Sequence, residues 1–335
     1  MQFRFAAIAA VPIAMLVCGG CAMSGAANHH RYRLTLITSS QASRFDDGWV
    51  CGAKRAARRL GVDLLVREPR RRDPATQIRI VEQVAERKPD AVVIAPARPR
   101  ALLVPLQRLA AAGSKVVAVG TRLGPGSPAV SEIGSDYEAG GRAAALAVDP
   151  LTLAAASPRE RRTHHYLGRM GMIGGGRSPA RSAHLVEGFV SAHGSIDTRI
   201  RYFGVHLVGD DIYTITRIAL ELMPGTIPLR FVLATDSRLA EDVGTGMIGA
   251  GAGTGPRVLT WGADHRNIAN LRRGIVDVLF VEHARQIGAS AIAQAVAALR
   301  GRHTRARIAT GWSMVTHDRL GEPRAEQALA QTAGC

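Results

Sequence analysis

From Arg33 onward the chain alternates short apolar runs with blocks in which apolar residues recur every three or four positions. Leu34–Thr38 reads as a strand, Trp49–Leu60 as a helix stopped by Gly61, and Val62–Val66 as a second strand. Asp73-Pro74 opens another helix, with Ile78, Val81 and Val84 at helical spacing. Ala91–Ile94 is a strand closed by Pro96, Leu102–Ala112 a helix stopped by Gly113, and Val116–Val119 a fourth strand. The pattern then restarts. A helix over Ala139–Val148 leads into a polar, basic stretch near Asp149–Arg169, then a strand at Met170–Ile173 and a helix at Ala180–Ser191. Strands follow at Arg201–Val205, Arg230–Leu233, Val258–Trp261 and Val276–Val281. Helices fit at Ile212–Leu222, Arg238–Met247, His265–Arg273 and Ile287–Leu299.

Strands alternating with helices of this length argue for parallel sheets wrapped by helices. The unbroken apolar runs Ala91–Ile94 and Val116–Val119 suit strands buried on both faces. The order predicts two doubly wound α/β lobes in series, which by itself assigns no function.

Composition narrows the class. With 335 residues, 47% of them hydrophobic, the chain can bury a sizeable core and is not disordered over most of its length. One uncharged run, Phe5–Ala27, approaches membrane-spanning length, so a polytopic membrane protein is excluded. Four cysteines are too few for a disulfide scaffold, and Cys51, inside the first helix, reads as a small core residue.

The formal charge of +16 could suggest a nucleic-acid partner. The arginines, however, scatter along the chain. The clusters Arg70-Arg71-Arg72 and Arg159-Glu160-Arg161-Arg162 fall in expected loops with no aromatics between them. No nucleic-acid partner is expected.

The N-terminus has the layout of an export signal: Arg4, the apolar run Ala6–Val17, then Gly19-Gly20-Cys21. Cysteine after two glycines resembles a lipobox, which makes Cys21 the expected lipidation site. Cys18 occupies the usual leucine position and stands as a poorer acceptor, and an uncleaved anchor of about 23 residues is the alternative.

Enzyme signatures are missing: there is no H-E-x-x-H, G-x-S-x-G or G-x-x-x-x-G-K-[ST]. Gly244-x-Gly246-x-x-Gly249 matches a dinucleotide fingerprint by letter, but it ends a helix instead of opening one. Gly174-Gly175-Gly176 follows a strand and precedes a helix, either as a tight turn or as an anion-facing backbone loop. His29-His30 and His164-His165 lack carboxylate or cysteine company at ligand spacing, so no metal or cofactor is expected.

Several segments in order carry a family resemblance: Gly52-Ala53-Lys54, Asp73-Pro74-Ala75-Thr76-Gln77, Ile133-Gly134-Ser135-Asp136, Ala139-Gly140-Gly141, Glu187-Gly188-Phe189, Val232–Asp236, Trp261-Gly262-Ala263-Asp264 and Gln286-Ile287-Gly288. In this order and spacing the chain resembles the type I periplasmic binding proteins, the ribose-binding subgroup above all. The resemblance implies two lobes built from discontinuous chain and joined by a three-segment hinge. Lobe one would comprise 31–135 plus 283–311, and lobe two 136–282 plus 312–320. A signal segment 1–21, a linker 22–30 and a tail 321–335 complete the chain.

It further implies a monomer that traps a sugar or similar polar solute between its lobes for an ABC permease. The implied ligand residues are Phe45 as stacking aromatic, with Asp46, Arg122, Ser135, Arg181, Thr235, Asp264 and Glu282. Three positions depart from the pattern: Leu185 stands where the family has arginine, Glu282 where it has glutamine, and Gly120-Thr121-Arg122 replaces an Asp-Arg pair. Other readings of the same fold are a sensory binding protein for a membrane receptor and a LacI-like ligand-binding domain without a DNA-binding head. An α/β enzyme would need a catalytic set that the sequence lacks.

Overall fold

The computed structural model describes residues 31–39, 44–70, 73–163, 167–175, 179–194, 200–208, 228–249 and 256–335. The export signal with Cys18 and Cys21, both histidine pairs, Arg71-Arg72, Gly176 and the helix expected at Ile212–Leu222 lie outside these residues.

The first sheet holds six parallel strands: β1 (Arg33–Ile37), β2 (Asp63–Arg67), β3 (Ala91–Ile94), β4 (Lys115–Val119), β5 (Ala129–Ser135) and β11 (Arg307–Thr310), in the order β11-β5-β4-β3-β1-β2. The second holds β6 (Gly168–Gly175), β7 (Ile200–Val208), β8 (Leu229–Ala234), β9 (Arg257–Trp261), β10 (Val278–Glu282) and β12 (Trp312–Thr316), in the order β12-β10-β9-β8-β6-β7. Only β12 runs antiparallel to its neighbour there, pairing Glu282 with Trp312. Each sheet with its helices is a lobe, and the two lie within one compact unit, Arg31–Cys335.

Helices cover both faces of each sheet, so each lobe has two cores. In lobe one, α1 (Arg44–Leu60) and α9 (Ala284–Leu299) bury Trp49, Ala53, Ile287 and Ala291 on one face. On the other face, α2 (Pro74–Glu86) and α3 (Pro99–Ala111) bury Val81, Val84, Leu102 and Leu106. Asp73 caps α2 by accepting from the backbone N–H groups of Ala75 and Thr76, and Pro74 opens its first turn. In lobe two, α4 (Tyr137–Ala155) and α6 (Pro179–His193) pack Leu185 and Phe189 against Trp261 and Phe280. Opposite them, α7 (Ser237–Gly249), α8 (His265–Arg272) and α10 (Pro323–Ala330) bury Leu239, Ile268, Leu271 and Ala325.

Glycines set the closest helix approaches, one pair in each lobe. A Cβ on Gly52 would overlap the Arg285 carbonyl, and one on Gly288 the Trp49 carbonyl, so α1 and α9 meet backbone to backbone. Gly141 and Gly188 do the same for α4 and α6, against the carbonyls of Leu185 and Glu138. Four of the segments that carried the family resemblance therefore hold the glycines that let these helices touch.

The structure differs from the sequence expectations at several points. Helix α1 begins at Arg44 instead of Trp49, so the Phe45 backbone belongs to a helical first turn and not to a loop. The Arg159–Arg162 cluster lies in a short helix, α5 (Pro158–Thr163), where Arg230 bonds Glu160 at 2.6 Å. Cys51 is buried, but as half of a disulfide with Cys335 and not as a free core thiol. Residues 321–335 carry α10, whose Ala325 and Ala328 join the lobe-two core. Gly244 and Gly246 sit inside α7, and Gly244 abuts Ile275, a packing role and not a phosphate loop.

On α6, His193 lies between Phe189 and Tyr202, with ring centroids 5.7 Å from each. Burial lowers its pKa, and the charge of Asp149 only partly opposes this. Because the folded value lies below that of the unfolded chain, His193 stabilises the fold above about pH 6.5, and that stability is lost as pH falls through this window. Chemical denaturation at pH 7.5 and pH 5 should show a larger loss for wild type than for His193→Phe. Equal losses would exclude His193 as the titrating group.

Candidate functional site

Three short crossings link the sheets. Ser135-Asp136 joins β5 to α4, His283 joins β10 to α9, and Gly311 joins β11 to β12. They are tied to one another: Trp312 Nε1 donates to the Asp136 carbonyl at 2.8 Å, and His283 Nε2 lies 2.9 Å from Ser313 Oγ. Tyr137 and Trp312 pack with ring centroids 5.8 Å apart, and Gly140 leaves room for the indole.

Beside these crossings lies a cavity of about 240 Å³ with walls from both lobes. Lobe one contributes the end of β4 with Gly120, Thr121 and Arg122, and β5 through Ser135. Lobe two contributes Tyr137, Glu138, Arg181 and His184. Carboxyl ends of parallel strands are where open α/β sheets place ligands, because the connections there diverge and leave a crevice.

Arg181 is the centre of charge. Its guanidinium lies 5.2 Å from the Tyr137 ring centroid, within cation–π range. Gly262, at φ +91°, leaves the space that Arg181 Nη2 occupies. Burial works against the charge, but Glu282, the Tyr137 hydroxyl, Asp236 and Asp264 outweigh it and raise the Arg181 pKa. Among the described residues, Arg181 Nε and Nη2, Glu282 Oε1 and Ser135 Oγ are buried polar atoms without a hydrogen-bond partner. Such atoms cost about 1–3 kcal/mol each unless something satisfies them, and those of Arg181 and Ser135 belong to side chains on the cavity wall, where a ligand could do so.

The expected site residues divide into three groups. Arg122, Ser135 and Arg181 line the cavity. Glu282, Asp264 and Thr235 are not on the cavity wall: Glu282 is buried at the end of β10, Asp264 caps α8 through the Asn267 N–H, and Thr235 Oγ1 lies 2.8 Å from Ser182 Oγ. Asp236 caps α7, accepting from the N–H groups of Arg238 and Leu239. Asp46 is not on the cavity wall. Its carboxylate accepts from Trp49 Nε1 at 2.7 Å and Ser39 Oγ at 2.8 Å, so it serves the start of α1. The Phe45 side chain lies outside the described residues.

Sequence reasoning missed Tyr137 and Trp312. The signal for Tyr137 was its place directly after the Ser135-Asp136 crossing. The arginine expected at Leu185 has a physical account, because Leu185 is fully buried in the α4–α6 core. Arg181, one turn earlier on α6, reaches the cavity instead.

Two α/β lobes, three crossings and a shared cavity with charged groups on its wall define a two-lobed small-molecule binding protein. The chain belongs to the periplasmic binding protein domain family, whose profile matches residues 34–303. A comparison with curated proteins finds no match. Among solved structures, an arabinose binding protein from Geobacillus stearothermophilus is similar with TM-score 0.76 and 18% identity, over 87% of this chain and 98% of that one. An ABC transporter solute binding protein from Agrobacterium vitis, bound to α-D-tagatopyranose, is similar with TM-score 0.69 and 22% identity, over 89% and 99%. A carbohydrate transporter solute binding protein from Agrobacterium radiobacter, in complex with D-arabinose, has TM-score 0.67 and 22% identity, over 90% and 99%.

Proposed function

We propose that this chain is an exported, monomeric solute-binding protein that captures one small uncharged sugar between its lobes and presents it to an ABC permease. The observation that carries the reading is the pair of cavity-wall side chains with unsatisfied buried atoms: Arg181 through Nε and Nη2, and Ser135 through Oγ. A guanidinium edge and a carboxylate are the groups that pair with neighbouring sugar hydroxyls through parallel hydrogen bonds. The cavity wall also balances its charge, with Arg122, Arg181 and Arg307 against Glu132, Asp136 and Glu138, which suits an uncharged ligand. Its volume suits a single sugar ring. The similar structures with bound tagatopyranose and arabinose add weight to this ligand class.

In this reading 31–135 with 283–311 and 136–282 with 312–320 close on the ligand as two bodies. Binding is reversible and no chemistry follows. Export is supported by the Cys51–Cys335 disulfide, since such bonds persist in oxidising compartments, and lipid attachment at Cys21 holds the protein at the membrane.

Thermal-shift screening of pentoses, hexoses, polyols and sugar acids tests the proposal. An uncharged monosaccharide at about 100 times its dissociation constant should add about 2.7 kcal/mol of stability. Phe45→Ala and Asp264→Ala should each weaken that binding by about tenfold or more, a loss of about 1.4 kcal/mol. Stabilisation by sugar acids alone would overturn the uncharged ligand, and no stabilisation by any sugar would sink the reading.

A further inference from the structure

We propose that residues 331–335 form a fourth connection between the lobes, sealed covalently, which limits how far the lobes open. The preceding helix, α10, belongs to lobe two: Ala325 and Ala328 are buried in its core, with Leu320 and Leu329 packed against them. Directly afterwards the chain is held by lobe one. The Arg285 N–H donates to the Gln331 carbonyl at 3.2 Å, and Arg285 Nη2 donates to the carbonyls of Ala333 and Gly334 at 3.4 and 3.2 Å. Gly48 of α1 leaves room for the Gln331 carbonyl and the Thr332 backbone, and Thr332 is buried. Cys335 then closes on Cys51 of the same helix.

The span between the two anchorages is short. Leu329 packs on lobe two and Gln331 is already bonded to lobe one, so one residue, Ala330, bridges them. A link this short has almost no slack, whereas a long one would leave the lobes free. The contact on α9 falls at Arg285, two residues after the His283 crossing. The strap thus lies beside the existing crossings, where its lack of slack restricts rotation about them. Without the disulfide, five residues would rest on a few hydrogen bonds and the packing of Thr332 against Gly48, and would open more readily. The bond makes the strap permanent under oxidising conditions and releasable by a dithiol. In that release the dithiol gives up two electrons and closes into its own disulfide, and Cys51 and Cys335 take up the electrons with two protons as free thiols.

The full chain without added sugar, oxidised and then treated with dithiothreitol, provides the test, read by hydrogen exchange and small-angle scattering. Reduction should speed exchange by about tenfold or more at the three crossings, Ser135–Asp136, His283–Ala284 and Thr310–Trp312, and should raise the radius of gyration. A second variant guards against loss of folding: three glycines inserted between Ala330 and Gln331 keep the disulfide but add slack, and should produce the same two changes. If exchange rises only at residues 331–335 and Arg285, with the radius unchanged in both samples, the segment is a local staple and the proposal is overturned. The measurement uses no ligand, so its outcome is separate from that of the sugar reading.

Discussion

Gly288→Val is expected to prevent stable folding of lobe one, and Gly288→Ala to cost about 3 kcal/mol, the upper part of the range for overpacking a core. The reason is the backbone contact between α1 and α9. Any Cβ at Gly288 overlaps the Trp49 carbonyl, and the reciprocal position, Gly52, faces the Arg285 carbonyl. Both obstacles are backbone, so no side-chain rotation relieves them. The helices would have to move apart, and Trp49, Ala53, Ile287 and Ala291 would lose packing together. Gly321, with nothing within 4 Å of its added Cβ, is the control, and Gly321→Ala should stay within about 0.5 kcal/mol of wild type. Urea denaturation of the three variants decides the matter. A Gly288→Ala protein as stable as wild type would show that the helix approach is not under this constraint.

Arg181→Lys should fold but bind sugar at least about thirtyfold more weakly, since losing one partner of a buried charged hydrogen bond costs about 2–5 kcal/mol. Lysine keeps a positive charge near Glu282, Asp236 and Asp264, so the acids that raise the Arg181 pKa stay compensated. It lacks the planar fork, and an ammonium cannot present two parallel donors or lie flat on the Tyr137 ring as a guanidinium does. Calorimetric titration with the sugar that stabilises wild type, alongside the melting temperature, separates binding from folding. Unchanged affinity would remove Arg181 from the site. A large drop in melting temperature with it would make Arg181 a structural residue of lobe two.

The departures from the family pattern gain meaning from the fold. Leu185 is not a lost arginine so much as a core residue whose carbonyl lies against Gly141. Glu282, at a position where the resemblance implies glutamine, is the first of the acids whose charge raises the Arg181 pKa against its burial.

Much of the architecture was legible in the sequence because its signals are local. Ala91–Ile94 is apolar at every position and forms a strand buried at every position. Asp73-Pro74 is a helix start by residue type alone, and the structure shows the cap it makes. The unread elements were those with weak local patterns. Strand β11 lies at a sheet edge and is buried only at Thr310, so Arg307–Thr310 carries no apolar run to notice. Strand β12, Trp312–Thr316, is also an edge strand, and β5 alternates half-buried with buried positions. The start of α1 was misplaced because Arg44–Gly48 holds one apolar residue, Phe45, among polar ones and so shows no helical periodicity, although Asp46 and Asp47 are the acids that favour a first helical turn.

The sequence by itself determined the alternation of strand and helix, the two-lobe class and a set of residues at strand ends, since each follows from periodicity or from a motif a few residues long. Tertiary structure alone decided which of them meet. Arg181 reaches the cavity and Leu185 does not, because a helix divides neighbours one turn apart according to what each end of the turn packs against. Asp46 turned inward to Trp49 and Ser39 because the helix began earlier than its apolar positions showed. Cys51 and Cys335, 284 residues apart, were paired by the return of the chain after α10 from lobe two to lobe one, and no local pattern encodes a contact of that separation.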